Sequence, residues 1–243
     1  MTFCVGVSVP GGLVGLADTQ VVKGVEVSSK SKLSLHAHGG HRFFVMTSGL
    51  RAVRDKVVLR LEDSLDSLGT PMARLHQVAS AFGDELRNVR AEDGPSLAQA
   101  GLRFNLHAII GGQLANDDQP VLLLIYPAGN WVIATEDSPS FIIGRSAYGK
   151  PILDRLLTPA TTMTHAIALA YLAFDATRAS VIDVDFPIDV VVVTSDGELR
   201  QHRFSPEDLT PTHDSWQKHL QNAVSALPME WAAGLLPGHE TRP

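Results

Sequence analysis

The sequence predicts an α+β fold: a four-layer αββα sandwich in which two antiparallel sheets lie between two layers of helices. Three observations lead there. Strand-like and helix-like stretches come in blocks, in the order strands, two helices, strands, two helices, strands, rather than alternating singly. The strands are short and joined mostly by tight-turn sequences such as Pro10-Gly11-Gly12 and His38-Gly39-Gly40, which favours antiparallel pairing. Each block of strands has an apolar face, and the two helix pairs carry the apolar stripes that cover such faces over short connections. No linker-like break divides the 243 residues, so 1–243 reads as a single domain, with 205–243 a C-terminal helical extension and frayed tail.

The elements follow in order. Thr2–Val9 and Leu13–Ala17 are apolar, β-branched runs on either side of a turn, the second leading into Asp18. A polar loop containing Gly24 precedes two further short strands, Leu33–His36 and Phe43–Met46. Val53, Val57, Val58, Leu61, Leu65 and Leu68 then recur at helical spacing, with charges on the opposite face. Gly69-Thr70-Pro71 stops this helix, and Met72, Leu75, Val78, Ala79, Phe82 and Leu86 start another. Asp93-Gly94-Pro95 marks 91–96 as a loop. Strands return at Phe104–Gly111, Val121–Tyr126 and Trp131–Thr135, and helices at Tyr148–Leu157 and Thr164–Thr177. Small residues along the last helix (Ala166, Ala170, Ala173) allow close approach to a sheet. Val190–Thr194 and Leu199–Phe204 flank Asp196-Gly197 as a hairpin, and Thr212–Trp231 is partly helical.

Composition excludes several functions. Lys+Arg 20 against Asp+Glu 26 leaves a net charge of -6 without a basic stripe, which argues against a nucleic-acid partner. The longest aliphatic runs are Val121–Ile125 and Val190–Val193, far short of the roughly 20 apolar residues a membrane helix needs. One cysteine, Cys4, rules out an internal disulfide framework. The first basic residue is Lys23, so the N-terminus lacks a secretory signal's cationic start and points to the cytoplasm.

Chemistry is concentrated near the N-terminus. Thr2 follows a methionine that is normally removed before so small a side chain, and a free N-terminal threonine holds a nucleophile and a base in one residue. Its hydroxyl attacks, and its α-amine, with an ordinary pKa near 7.7–8.0, takes the proton. Asp18 ends the neighbouring strand on the same sheet edge, and Lys32 precedes the next strand. A lysine beside the hydroxyl stabilises its ionised form, and an aspartate keeps that lysine charged and aimed. Thr47-Ser48-Gly49 closes a strand before a helix, where backbone N–H groups face a developing oxyanion.

Met-Thr-Phe-Cys-Val-Gly, Leu-Ala-Asp-Thr, a lysine before a strand and Thr-Ser-Gly together resemble the proteasome β-type family of N-terminal-nucleophile hydrolases. Leu124-Ile125-Tyr126-Pro127-Ala128-Gly129-Asn130, Tyr148-Gly149-Lys150-Pro151-Ile152-Leu153-Asp154 and Phe186-Pro187-Ile188-Asp189 look like its bacterial Anbu (ancestral beta subunit) branch. The resemblance runs from Thr2 to about Phe204. It implies a threonine-type peptidase that needs no metal or organic cofactor, acts on peptide or protein substrates, and assembles as a homo-oligomer, ring or helical. By position it assigns Thr2 as nucleophile, Asp18 and Lys32 as its partners, and Ser48 and Gly49 as the oxyanion turn. Asp175 corresponds to the distal aspartate that orients the amine, with Ser180 and Ser146 as looser matches for its serines. The Asp18–Lys32 spacing is shorter than the family's, so Lys30 stays a second candidate. A non-catalytic assembly protein and a small-amide hydrolase on the same fold remain alternatives.

Other candidates have plainer readings. His36, His38 and His41 fit a hairpin turn better than a metal site, and Cys4 fits core packing. Asp183, Asp185 and Asp189 suit a solvated loop rather than a cation site. The first specificity pocket falls near Val45–Val53 and the loop 24–31, where Arg51 is the prominent charge.

Overall fold

A computed structural model describes residues 2–23, 25–233 and 235. Met1, whose removal the sequence reading invokes, and most of the tail expected to fray lie outside the described residues. In chain order the strands and helices begin with β1 (Phe3–Val9), β2 (Gly12–Asp18), β3 (Gln20–Lys23), β4 (Glu26–Ser29), β5 (Leu33–His38) and β6 (His41–Gly49). Then come α1 (Arg51–Asp66), α2 (Leu75–Gln99), β7 (Leu106–Gly112), β8 (Val121–Ile125), β9 (Trp131–Ile133) and β10 (Ser140–Gly144). The chain continues with α3 (Lys150–Leu156), α4 (Met163–Arg178), β11 (Ile188–Thr194), β12 (Leu199–Phe204), α5 (Pro206–Ser225) and α6 (Glu230–Ala233). Two compact units result: Met1–Ser205, which holds every strand, and Pro206–Pro243, which holds α5 and α6.

The first unit is mixed α+β. One antiparallel sheet has the order β10-β1-β2-β11-β12, the other β5-β6-β7-β8-β9, and β3 pairs only with β4. Side chains alternate across a strand, and β6 shows what that alternation does here. Phe44 and Met46 join Cys4, Leu13, Ala17, Ile109, Leu122 and Val191 in a core drawn from both sheets. Phe43 and Val45, on the opposite face of β6, join Val53, Val57, Leu61, Val78, Phe82 and Leu86 of α1 and α2. Strands buried on both faces therefore read as continuous apolar runs. The α1 stripe Val53, Val57, Leu61, Leu65 repeats every four residues, and each member is buried. On the other sheet α4 packs against β1 and β2, and α3 packs on α4. The Thr162 hydroxyl begins α4 by accepting the His165 N–H at 3.3 Å. No helix among the described residues is long and apolar enough to cross a membrane.

Three local expectations are corrected. Residues 91–96 are not a loop: α2 continues through Asp93-Gly94-Pro95 to Gln99. This stretch is mostly solvent-exposed, so the carbonyl that Pro95 leaves without an N–H partner has water available. The polar stretch after Asp18 holds the β3–β4 hairpin, and β10, unrecognised in the sequence, covers the free edge of β1. Leu199–Phe204 lies where the pattern put it, β8 ends at Ile125, one residue short of the expected Tyr126, and α4 runs one residue further at each end.

Candidate active site

The register of β1 on β2 builds the site. Cys4 faces Ala17, which brings the backbone of Phe3 to Asp18 at the strand end. The Phe3 N–H donates to Asp18 Oδ1 at 2.7 Å, fixing the start of β1 immediately after Thr2. Thr2 itself is buried. Its carbonyl accepts the Arg145 N–H at 2.8 Å, just after β10. Gly144 makes that approach possible: with φ +90, a Cβ there would sit 1.8 Å from the Thr2 carbonyl oxygen.

Lys32 enters from the residue before β5. Its ammonium donates to both Asp18 oxygens at 2.6 Å and to the Gln20 carbonyl at 2.8 Å. Both partners are buried, Asp18 completely. Burial pushes the Asp18 carboxyl up to about 6, while Lys32 and the Phe3 N–H pull the other way. The carboxyl is therefore mostly ionised at neutral pH. Lys30, the other candidate, is exposed and makes no contact with Asp18; its own backbone N–H donates to the Thr19 carbonyl at 2.7 Å.

Thr2, Lys32, Thr47 and Gly49 share the wall of a cavity of about 230 Å³. Ser48 and Gly49 are the last residues of β6, opposite His107 and Leu106, and α1 begins at Arg51. Cys4 lies fully buried in the core, where burial drives its thiol far above the ordinary range, away from nucleophilic use.

Asp175 and Ser180 stand apart from this wall. Asp175 is buried on α4 and pairs with Arg178 at 3.3 Å. Ser180 is exposed, and its hydroxyl donates back to the Ala176 carbonyl at 2.9 Å. The Ser146 carbonyl accepts the Lys150 N–H at the start of α3.

One set of residues beside the site was missed. Asp189 is not part of a solvated loop: it lies fully buried on β11. Arg203 grips it through two bonds of 2.7 and 2.9 Å, and Ser31, the neighbour of Lys32, donates to it at 2.7 Å. Counting outward from the Asp196-Gly197 turn places Asp189 opposite Arg203, and a charge-paired rung was readable from that count. Asp183 is likewise paired with Arg145, and Asp185 lies 3.7 Å from Arg178. Among the described residues no three His, Cys, Asp or Glu side chains are grouped to hold a metal ion. In the β5–β6 hairpin His36 bonds Glu62 at 3.0 Å and stacks on Phe43, while His38 Nε2 accepts the Met72 N–H at 2.7 Å.

Comparison with known proteins follows the same direction. No family model matches the chain, and no curated protein matches it. Solved structures do. An Anbu (Gly-1) mutant from Hyphomicrobium sp. strain MC1 is 33% identical, with a TM-score of 0.85, over 94% of this chain and 98% of that one. The helical assembly of the Anbu complex from Pseudomonas aeruginosa is 29% identical, with a TM-score of 0.84, over 93% and 97%. Anbu (ancestral beta-subunit) from Yersinia bercovieri is 28% identical, with a TM-score of 0.83, over 93% and 97%.

Proposed function

The chain belongs to the Anbu family of proteasome-related proteins, and on that footing we propose that it is a threonine peptidase whose nucleophile is Thr2. The observation that carries this reading is Lys32, in the same cavity wall as Thr2 and paired with the buried Asp18. An ion pair taken out of water costs stability unless its geometry is good, and here the ammonium is held by three oxygens on a residue that lines the Thr2 cavity. The fold part of the reading is the four-layer sandwich: α1 and α2 outside one sheet, α3 and α4 outside the other.

In this mechanism removal of Met1 frees the Thr2 amine. The amine, through a water, takes the hydroxyl proton, and Oγ bonds to a peptide carbonyl carbon. The charge on the carbonyl oxygen is met by backbone N–H groups at Ser48 and Gly49, and Lys32 stabilises the developing alkoxide. Collapse breaks the C–N bond, with the proton passing to the departing amine. Water then hydrolyses the ester and restores Thr2. By the family resemblance Asp175 is the carboxylate that would orient the amine, although neither it nor Ser180 lines the cavity. The Pseudomonas aeruginosa relative is described as a helical assembly, and a homo-oligomer of this chain belongs to the same reading.

The test is Thr2→Ala in the full chain, with intact mass measured alongside to report the state of Met1. Loss of peptide cleavage by 10³-fold or more, with the fold unchanged, is the expected outcome. Cleavage persisting in the variant, or a purified chain that keeps Met1 and still turns over, removes Thr2 from the role. A folded, processed wild type that cleaves no peptide leaves the assembly-protein alternative.

A further inference from the structure

We propose that the Thr2 cavity selects substrates with an acidic side chain on the residue that supplies the scissile carbonyl. The inference rests on the peptidase reading for the position of that carbonyl, and on the charges of the wall for the selectivity. Besides Lys32, the wall contains Lys30, Arg51 and Arg54, and no carboxylate among the described residues lines it.

The neutralised charges can be separated from the remaining ones. Lys32 is compensated by Asp18. Arg51 and Arg54 share one carboxylate, Asp55, at 3.3 and 3.1 Å, so two guanidiniums face a single negative charge. No described carboxylate lies within ion-pair distance of the Lys30 ammonium, whose residue is exposed and lines the cavity. The cavity therefore retains a surplus of positive charge in a chain whose net charge is -6. Against that overall balance, a local cationic wall is a feature of the cavity and not of the surface at large.

Arg54 adds a directional argument. Its Nε–H is buried without a hydrogen-bond acceptor, although Nη1 donates to Asp55. A buried donor left unpaired is costly, and the group that relieves it must be an acceptor. A side-chain carboxylate is acceptor-only and meets both needs, since it supplies oxygens for the guanidinium and charge for the wall. A lysine or arginine side chain would face like charges. An aliphatic one would bury charged groups without pairing them.

The experiment uses the full-length assembled protein and fluorogenic peptides that differ only at this residue, carrying Glu, Gln, Leu or Lys. The expected kcat/KM for Glu exceeds that for Gln by about tenfold or more, and the margin narrows as salt rises. Equal or better turnover of Gln or Leu overturns the proposal. Charge reversal at exposed positions, Lys30→Glu with Arg51→Glu, should move the preference toward Lys by at least tenfold; an unchanged ranking also overturns it. A second arm separates this inference from the peptidase reading. Labelled Glu and Gln peptides are titrated by fluorescence anisotropy against Thr2→Ala. Tighter binding of the Glu peptide supports the charge selectivity even where wild type proves unable to cleave. Equal affinities overturn it whatever the turnover.

Discussion

Lys32→Met is the perturbation that bears most directly on the site. The substitution keeps the length of the stem and deletes the ammonium, leaving the fully buried Asp18 with the Phe3 N–H as its remaining donor among the described residues. Removing one partner of a buried pair costs about 3–5 kcal/mol, because the other charge is left desolvated. In a domain of this size one kcal/mol corresponds to about 2–4 °C, so the melting temperature should fall by about 6–20 °C at pH 7.5. The pH dependence gives the sharper sign. Burial already pushes the Asp18 carboxyl up to about 6 with Lys32 present, and without the ammonium it moves higher. At pH 5 wild-type Asp18 is itself largely protonated, so Lys32 has less charge to pair with and the penalty should shrink to about 1 kcal/mol. Adding Asp18→Asn to Lys32→Met removes the orphaned charge and should recover at least half of the loss. Thermal unfolding at fixed protomer concentration, at both pH values, reads all three variants. A fall below about 2 °C at pH 7.5, or a penalty that does not shrink at pH 5, would refute the assignment of a buried ion pair.

Three further predictions concern the titration of the site and the packing of α2. The logarithm of kcat/KM should rise with a slope of one between about pH 6 and 8 as the Thr2 amine loses its proton. Below about 6 the slope should steepen toward two as Asp18 takes one up, and a slope of one held down to pH 5 would exclude Asp18. The stability linkage of Asp18 runs the opposite way: its raised pKa makes its contribution complete below 3.8 and lost as pH rises through about 6. Circular dichroism at pH 5 should therefore show that Asp18 is not unfolding the protein as activity falls. Gly83→Ala in α2 would put a Cβ 2.1 Å from the Gly129 carbonyl oxygen, and the backbone shift should cost about 1–3 kcal/mol by chemical denaturation; a neutral result would mean α2 does not lie against the turn before β9.

Much of this was legible in the sequence because the information was local or periodic. The four-residue stripe of α1 and the apolar runs of β8 and β11 state their burial directly. Asp18 and Lys32 were found because both sit at strand ends next to recognisable patterns. Other features depended on partners distant in the chain. β10 is short and has no turn tying it to β1, so its pairing with Phe3–Val7 could not be read from Ser140–Gly144 alone. Proline and glycine in α2 imitate a loop, because a turn signal does not say whether the helix side carrying it faces water. Asp189 was misplaced for a related reason: an aspartate before an apolar strand looks like a loop end until its rung partner, Arg203, is counted across the hairpin.

That last residue shows how the two halves of the site are joined. Asp18 ends β2, and Ala17 beside it faces Asp189 on β11, so neighbouring strands of one sheet each contribute a buried carboxylate. Two such charges side by side would repel if neither were compensated. Each has its own cation: Lys32 for Asp18, Arg203 for Asp189. Ser31 connects them, since its hydroxyl reaches Asp189 while the next residue delivers its ammonium to Asp18. The Lys32 ammonium is thus positioned from two directions, by its own carboxylate and by the anchorage of the residue before it. A lysine on an untethered loop would pay for the same contacts with the entropy of a long side chain and of the loop itself. Here β11 removes the second of those costs, which is why a strand from late in the chain contributes to a site that opens at its start.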